Sequence, residues 1–182
     1  MMEKQKYRFH IGQRNIKTAF ATMLTAAIYF LIHRNPTFAC IGAMFGTGTS
    51  RENSRLHGGN RFFGTLIGGV LGMVLFRIYI IFYPDGSPHI AMLLFVFVGV
   101  VALIVLSQIF WVGAVQPGGV VLCILLFNTP VETYISYSLN RIFDTGVGVV
   151  IALLVNWLLP RERMTRILEV LHLKKRVEVT EE

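Results

Sequence analysis

The chain has 182 residues, of which 54% are hydrophobic and 15% are charged, and its net charge is +7. Soluble domains carry roughly 25% charged residues, so a water-soluble globular domain is excluded. The charges crowd into the first 17 positions, the stretch 51–61 and the region from 161 onward. This separation of charge from apolar runs indicates an integral membrane protein rather than a basic nucleic-acid-binding protein.

Six apolar segments follow one another along the chain, and each is a predicted spanning helix. Such a helix needs about 20 mostly apolar residues. The segments are 16–33, 36–50, 62–82, 90–109, 111–128 and 141–159. The second is short and rich in glycine and threonine (PTFACIGAMFGTGTS), so it either crosses fully or forms a broken, partly re-entrant helix.

Fourteen of the 17 lysines and arginines fall on one side of the membrane if the chain alternates through six spans. The exceptions are Arg34, Arg77 and Arg141. Cytoplasmic loops carry the excess of positive charge in membrane proteins. The sequence therefore predicts a multi-pass protein with both termini in the cytoplasm. Its six-span domain covers 1–160, and a basic amphipathic cytoplasmic tail covers 161–182.

Residues 60–75 and 140–155 spell nearly the same phrase. Six of the sixteen aligned positions are identical, and each copy opens with Asn-Arg. A proline stands 25 residues before the first of these arginines and 24 before the second. The similarity therefore extends over a unit of three spans, with chance similarity between apolar segments as the alternative.

Three spans is an odd number, so a tandem copy of the unit enters the membrane upside down. The predicted fold is therefore an all-α polytopic bundle of two inverted three-helix halves, at about 7–85 and 86–160. Inverted repeats of this kind are found in many secondary transporters.

The patterns N-R-x-x-G-T-x-x-G-G at 60–69 and N-R-x-x-D-T-x-x-G at 140–148 resemble those of the aromatic acid exporter family. This family includes the fusaric-acid-resistance type proteins of bacteria, and the resemblance covers roughly residues 7–160. It implies a bacterial plasma-membrane transporter that exports small aromatic carboxylic acids by alternating access, coupled to protons. Many relatives carry a soluble domain or a second six-span unit, whereas only 22 residues follow Pro160 here. We therefore expect a homo-oligomer, a dimer or higher.

Two arginines and one aspartate are the charged candidates for a transport site. Arg61 and Arg141 stand where predicted spans begin, and a guanidinium binds a carboxylate through two parallel hydrogen bonds. Anchoring at the membrane surface is the alternative. Asp144 is the only carboxylate in the predicted spans, and we expect it to face Arg141 three residues earlier. It is the candidate for proton coupling, with structural pairing as the alternative.

Small and polar residues supply the remaining candidates. Small residues spaced four apart allow close helix packing, and they are Gly64, Gly68, Gly72, Gly148 and Ala152. Polar residues that would contact a substrate are Thr65, Thr145, Gln116 and Asn128. Interrupted helices at matching positions of two halves mark transporter sites, so the candidate hinges are Pro36, Pro117 and Gly118, with a simple packing kink as the alternative.

The sequence predicts no metal site and no cofactor, because its five histidines have no partner at metal-ligand spacing. No nucleophile stands beside a base in a recognisable motif, so an enzyme is not predicted. The expected partners are the lipid bilayer, small aromatic anions and further copies of the chain, and no nucleic acid. Two other functions stay open: an oligomeric passive channel, and a non-transporting membrane scaffold whose basic tail recruits lipid or a partner.

Overall fold

A computed structural model describes residues 12–159, and within this range the chain is helical and contains no strand. Six α-helices follow one another, with a single 3-10 turn before the fifth. Their bounds are α1 Gln13–Leu31, α2 Thr37–Gly46, α3 Arg51–Phe82, α4 Met92–Phe110, the turn Val112–Ala114, α5 Val115–Asn128 and α6 Tyr134–Leu158. The predicted amphipathic tail at 161–182 lies outside the described residues.

Three of these helices, α3, α4 and α6, are long and apolar enough to cross a membrane. Their 32, 19 and 25 residues extend about 48, 28 and 38 Å at the α-helical rise, against a hydrocarbon core about 30 Å thick. The helices α2 and α5 are apolar but shorter, and the 10 residues of α2 extend about 15 Å. The predicted fold class, an all-α membrane bundle, is confirmed.

α3 and α6 begin well before the apolar segments that predicted them. α3 begins eleven residues early, where the Ser50 hydroxyl accepts a hydrogen bond from the Asn53 amide at 3.1 Å. α6 begins seven residues early, at Tyr134. Arg61 and Arg141 therefore lie inside their helices, at the start of the apolar part of each, and not where the helices begin. An apolar run marks the part of a helix that suits lipid, whereas capping and side-chain packing decide where the helix begins.

Pro117 lies at the third position of α5, which corrects the expectation that it interrupts the fifth span. The N–H groups of a first helical turn have no partner within the helix, so proline fits there without breaking a hydrogen bond. The chain turns just before α5, where Trp111 is extended (φ −164°) and the 3-10 turn follows. Pro36 likewise stands at the N-cap of α2.

Contacts between residues fix the direction of each helix relative to its neighbours: α1, α3 and α5 run one way, and α2, α4 and α6 run the other. Antiparallel pairs are α1 and α6 (Lys17–Asn156, Tyr29–Asp144), α3 and α6 (Ser54–Asn156, Gly69–Ile142), and α3 and α4 (Leu75–Gly99, Tyr79–Phe95). Parallel pairs are α2 and α6 (Gly42–Thr145, Gly46–Ala152) and α3 and α5 (Gly64–Pro117, Gly72–Leu125). The start of α1 and the end of α6 therefore lie at the same end of the bundle.

The second helix of each predicted half packs against the third helix of the other half. α2 lies on α6, where a methyl group on Gly148 would collide with the backbone of Ala39 and Ala43. α5 lies on α3, where a methyl group on Gly68 would collide with the backbone of Gly118. Small residues allow such close approach of membrane helices. The other predicted packing residues lie in the same two contacts: Gly64, Gly72 and Ala152.

A cluster of buried apolar side chains joins α3, α4, α5 and the start of α6 at the end of the bundle opposite Gln13. Its centre is Phe76, whose ring meets the ring of Tyr134 edge-on at 5.3 Å. The buried members are Leu75, Phe76, Tyr79, Met92, Leu103, Leu122, Leu125, Leu126 and Tyr134. This cluster holds α4 and α5 against the long helix α3.

Replacing Gly148 with alanine is expected to lower the free energy of unfolding by about 1–3 kcal/mol, the usual cost of overpacking, because the new methyl group meets α2 backbone. The matched control is Gly119→Ala, where the nearest atom to an added methyl group is 3.9 Å away. Alanine favours a helix over glycine, so the control keeps or raises stability. Thermal unfolding in detergent measures both, and equal or higher stability of Gly148→Ala would contradict the packing.

Candidate functional site

Ionisable side chains are buried inside this bundle of apolar helices. Arg141 and Asp144 on α6 are 3% and 5% exposed, and Lys17 on α1 is 2% exposed. Arg61 on α3 is partly buried. Charged groups within the hydrocarbon region are costly and commonly mark substrate or ion pathways, so these residues define the candidate site.

Arg61 and Arg141 lie near the middle of the bundle. Each precedes the midpoint of its helix by about five residues, or about 8 Å along the helix axis. Because α3 and α6 run in opposite directions, the two arginines approach the middle from opposite ends.

The guanidinium of Arg141 is held by aromatic side chains. Its Nη1 donates a hydrogen bond to the Tyr137 hydroxyl at 2.7 Å, and its Cζ lies 4.1 Å from the centre of the Phe38 ring. Its Nε is buried and has no hydrogen-bond partner. The cation–π contact offsets part of the cost of burial, and one donor remains available to a ligand.

The guanidinium of Arg61 is held more loosely. Its Cζ lies 5.5 Å from the centre of the Phe45 ring, and its Nε is buried without a hydrogen-bond partner. Among residues 12–159, no carboxylate lies within ion-pair distance of Arg61 or Arg141. Both positive charges are therefore left without a neutralising partner in the described part of the chain.

A cavity of about 250 Å³ opens beside Arg61, between α2, α3 and the start of α5. The candidates Gln116 and Pro117 line it together with Phe45. At its edge the Trp111 indole N–H donates a 2.6 Å hydrogen bond to Asn60, the asparagine of the first repeated phrase. The structure thus brings three predicted site residues, Arg61, Gln116 and Pro117, into one pocket.

Asp144 pairs with α1 and not with Arg141. Its Oδ1 lies 3.0 Å from Nε of Arg34 and accepts a 2.8 Å hydrogen bond from the Tyr29 hydroxyl. The expectation that Asp144 faces Arg141 is therefore wrong. Spacing along one helix shows which side chains are neighbours, but here the turn after α1 supplies a closer cation. The left-handed backbone of His33 (φ +51°) ends α1 and turns the chain just before Arg34.

A second polar cluster lies at the other end of α1 and was not predicted. The Lys17 ammonium donates to Oδ1 of Asn156 at 3.1 Å, and Nδ2 of Asn156 donates to the carbonyl of Ser50 and to the hydroxyl of Ser54, both at 2.8 Å. The signal in the sequence was a lone asparagine near the end of the apolar second half of α6. Polar contacts therefore join the two ends of α1 to α6.

The other predicted residues lie away from the cavity. Thr65 and Thr145 are buried in helix contacts, and the Thr65 hydroxyl donates to the carbonyl of Arg61 at 2.9 Å. Asn128 is exposed at the end of α5, twelve residues beyond Gln116. Gly118 packs against α3. Within residues 12–159 no three potential metal ligands come together.

An all-helical membrane bundle with unneutralised arginines near its middle is typical of membrane transport proteins. The family model described as aromatic acid exporter family member 1 matches residues 9–159. The chain therefore belongs to the aromatic acid exporter family, a family of membrane exporters, and the resemblance seen in the repeated phrases is confirmed. A comparison with curated proteins and one with solved structures each found no match.

The Arg34–Asp144 pair should act as one unit in stability. Asp144→Asn keeps an acceptor for Tyr29 but removes the charge opposite Arg34, so we expect a loss of about 1–3 kcal/mol. Arg34→Gln should lose a similar amount, and the double variant should lose less than the two single losses combined, with a coupling of about 0.5–3 kcal/mol. Thermal unfolding of the four proteins measures this cycle, with the exposed Glu132→Gln as a charge control. Strictly additive losses would contradict the pair.

Proposed function

We propose that this chain is an exporter of small aromatic carboxylic acids in the bacterial plasma membrane and that it works by alternating access. Arg61 and Arg141 bind the carboxylate from the two sides of the middle of the bundle. One observation carries this proposal: both guanidinium groups have a buried Nε without a partner, and no carboxylate of residues 12–159 neutralises them.

An anion suits this arrangement on energetic grounds. A buried charge without a partner is strongly unfavourable. A carboxylate offsets this cost, because it accepts paired, charge-assisted hydrogen bonds from a guanidinium. The arrangement of the two arginines therefore favours an anionic substrate.

The size and walls of the cavity favour an aromatic substrate with a single ring. Its volume of about 250 Å³ lies below the roughly 300–1,000 Å³ of pockets for drug-sized ligands. The Phe45 ring lines the cavity beside Arg61, so a substrate ring packs on a phenyl face while its carboxylate meets the arginine. Edge-to-face and offset contacts between rings add about 0.5–1.5 kcal/mol beyond the area buried.

The packing supports alternating access by two inverted halves. α2 lies on α6 as α5 lies on α3, and α1 lies on α6 as α4 lies on α3. Exchanging the two halves therefore preserves these contacts. The polar contacts of α1 with α6 lie at the two ends of α1, around Asp144 near the middle of α6 and around Asn156 near the end of α6, so each end of α1 is released when its own contacts break.

Asp144 is our proposed site of proton coupling. Protonation removes its charge and with it the ion pair to Arg34, which frees the contact at that end of α1. With both termini in the cytoplasm, the Leu31 end of α1 is directed toward the outside of the cell. A proton from outside binds Asp144 as the acid leaves, and its release to the cytoplasm in the inward-open state completes the exchange that a proton-driven exporter requires.

The proposed surroundings are the lipid bilayer and further copies of the chain. α4 presents large apolar side chains outward, among them Leu93, Leu94 and Phe97, which are each more than 60% exposed. Lipid tails cover such a surface without cost, and a second copy in a homodimer or higher oligomer covers part of it.

Efflux of radiolabelled benzoate from bacterial cells tests the role of the arginines. Arg61→Gln and Arg141→Gln each remove charge-assisted hydrogen bonds worth about 1.5–3 kcal/mol, so we expect about 10- to 100-fold slower efflux. Arg77→Gln is the control, since Arg77 lies on the same helix as Arg61 and is exposed. Expression and thermal stability are measured for each variant.

Efflux by both arginine variants at the wild-type rate would contradict substrate binding by Arg61 and Arg141. Efflux from cells with the wild-type chain equal to that of the empty vector would contradict the exporter function. Dissipating the proton gradient should abolish wild-type export and leave the residual efflux of Asp144→Asn unchanged. Export that survives dissipation in the wild type points instead to a passive channel.

Labelling of single introduced cysteines tests the proposed topology. In a chain with Cys40 and Cys123 replaced by alanine, Asn53→Cys should react from the cytoplasmic side and Glu132→Cys from outside, since both positions are exposed and lie at opposite ends of the bundle. An impermeant maleimide applied to whole cells should modify only the cysteine at 132. Modification of both positions from one side would contradict two inverted halves with cytoplasmic termini.

A further inference from the structure

A groove of about 620 Å³ runs along the outside of the bundle between α1 and α2. It is open to the surroundings, because the side chains of Met23, Met44 and Phe45 on its walls are 61%, 47% and 58% exposed. Of the residues that line the cavity beside Arg61, only Phe45 also lines this groove.

The groove is apolar along its length and positively charged at one end. The hydroxyl groups of Thr18 and Thr22 donate back to carbonyls of their own helix at 2.9 and 2.8 Å, which leaves their methyl groups and the neighbouring alanines as the lining. Arg14 stands at the end where α1 begins, and its Nε donates to the carbonyl of Thr47 at 3.3 Å. In the orientation proposed above, this charged end lies at the inner surface of the membrane.

Phe45 lines both this groove and the cavity beside Arg61. Its ring is more than half exposed and lies 5.5 Å from the Arg61 guanidinium, a long and therefore weak contact. Rotamer changes of exposed side chains take picoseconds to nanoseconds. One mobile ring therefore stands between the lipid-facing groove and the arginine pocket.

We propose that the α1–α2 groove is a lateral access route through which an aromatic carboxylate in the inner leaflet reaches Arg61, with Phe45 as the gate. This inference rests on the proposed function and adds the direction from which the substrate arrives. The occupant of the groove is the substrate itself, an aromatic ring bearing a carboxylate.

The charges and the lining match this occupant. A ring with a carboxylate is amphipathic and collects at the membrane interface, as amphipathic aromatic side chains do. Arg14 attracts the carboxylate at that depth, and the apolar groove receives the ring. Met23 and Met44 adapt to rings of different shape, since methionine is flexible and polarizable. Arg61 then offers the next cation, beyond Phe45.

Blocking the groove tests the route. Ala19 lines the groove and Ala27 does not, and both are exposed on α1, so Ala19→Trp and Ala27→Trp form a matched pair. Uptake into inside-out membrane vesicles is measured for 2-naphthoate, which partitions into lipid, and for 3,5-dihydroxybenzoate, which stays in water. We expect Ala19→Trp to slow 2-naphthoate uptake about tenfold and to slow 3,5-dihydroxybenzoate uptake much less. Ala27→Trp should match the wild type for both.

The outcomes separate this inference from the function on which it rests. Equal uptake by the two tryptophan variants, with uptake still lost in Arg61→Gln, overturns the lateral route and leaves the exporter standing. Normal uptake by both Arg61→Gln and Arg141→Gln overturns the exporter site itself. If Ala19→Trp changes the oligomeric mass in detergent, the groove is an interface between copies and the route is wrong.

Photolabelling gives a second measurement that does not depend on transport. The photoreactive aromatic acid 4-benzoylbenzoate, supplied in lipid vesicles containing the purified wild-type chain, should form adducts on groove residues such as Met23 and Met44. Excess 2-naphthoate should compete with these adducts, whereas excess decane should not. Labelling confined to α4, or insensitive to 2-naphthoate, would contradict a substrate groove between α1 and α2.

Discussion

Close contact between helix backbones is the constraint on which the rest of this structure depends. Gly148 lets α2 lie directly on α6, and Gly68 lets α5 lie directly on α3. Apolar side chains gain little by leaving lipid for another apolar surface, so packing of small residues is what holds membrane helices together. Because α3 and α6 also pack on each other in opposite directions, these contacts bring Arg61 and Arg141 toward the middle from opposite ends.

The charges inside the bundle differ in how far they are compensated, and this difference is the basis of the roles proposed for them. Asp144 has Arg34 and Tyr29 as partners, and the Lys17 ammonium has Asn156. These groups connect helices at the two ends of α1. Arg61 and Arg141 have aromatic rings but no carboxylate of residues 12–159. A fixed ion pair stabilises one conformation, whereas an unpaired buried cation favours the arrival of an anion, so the proposed gating and the proposed binding fall to different residues.

Much of this arrangement could be predicted from the residues alone. The apolar runs located all six helices, and the repeated phrase identified both arginines and both glycine ridges. Helix boundaries were missed where polar residues continue a helix beyond its apolar part, as they do before Arg61. The partner of Asp144 was also missed: Arg34 is 110 positions away in the chain, and no local pattern relates residues on α6 to the turn after α1.

The sequence by itself determined that this is a helical membrane protein of the aromatic acid exporter family, because hydropathy and a motif of about ten residues are local properties of the chain. Only the tertiary structure decided that Asp144 pairs with Arg34, that Lys17 meets Asn156, and that Phe45 stands between a lipid-facing groove and Arg61. These relations depend on which helices pack together and on where along their axes they meet. Packing between distant segments fixes that geometry, and no single segment contains it.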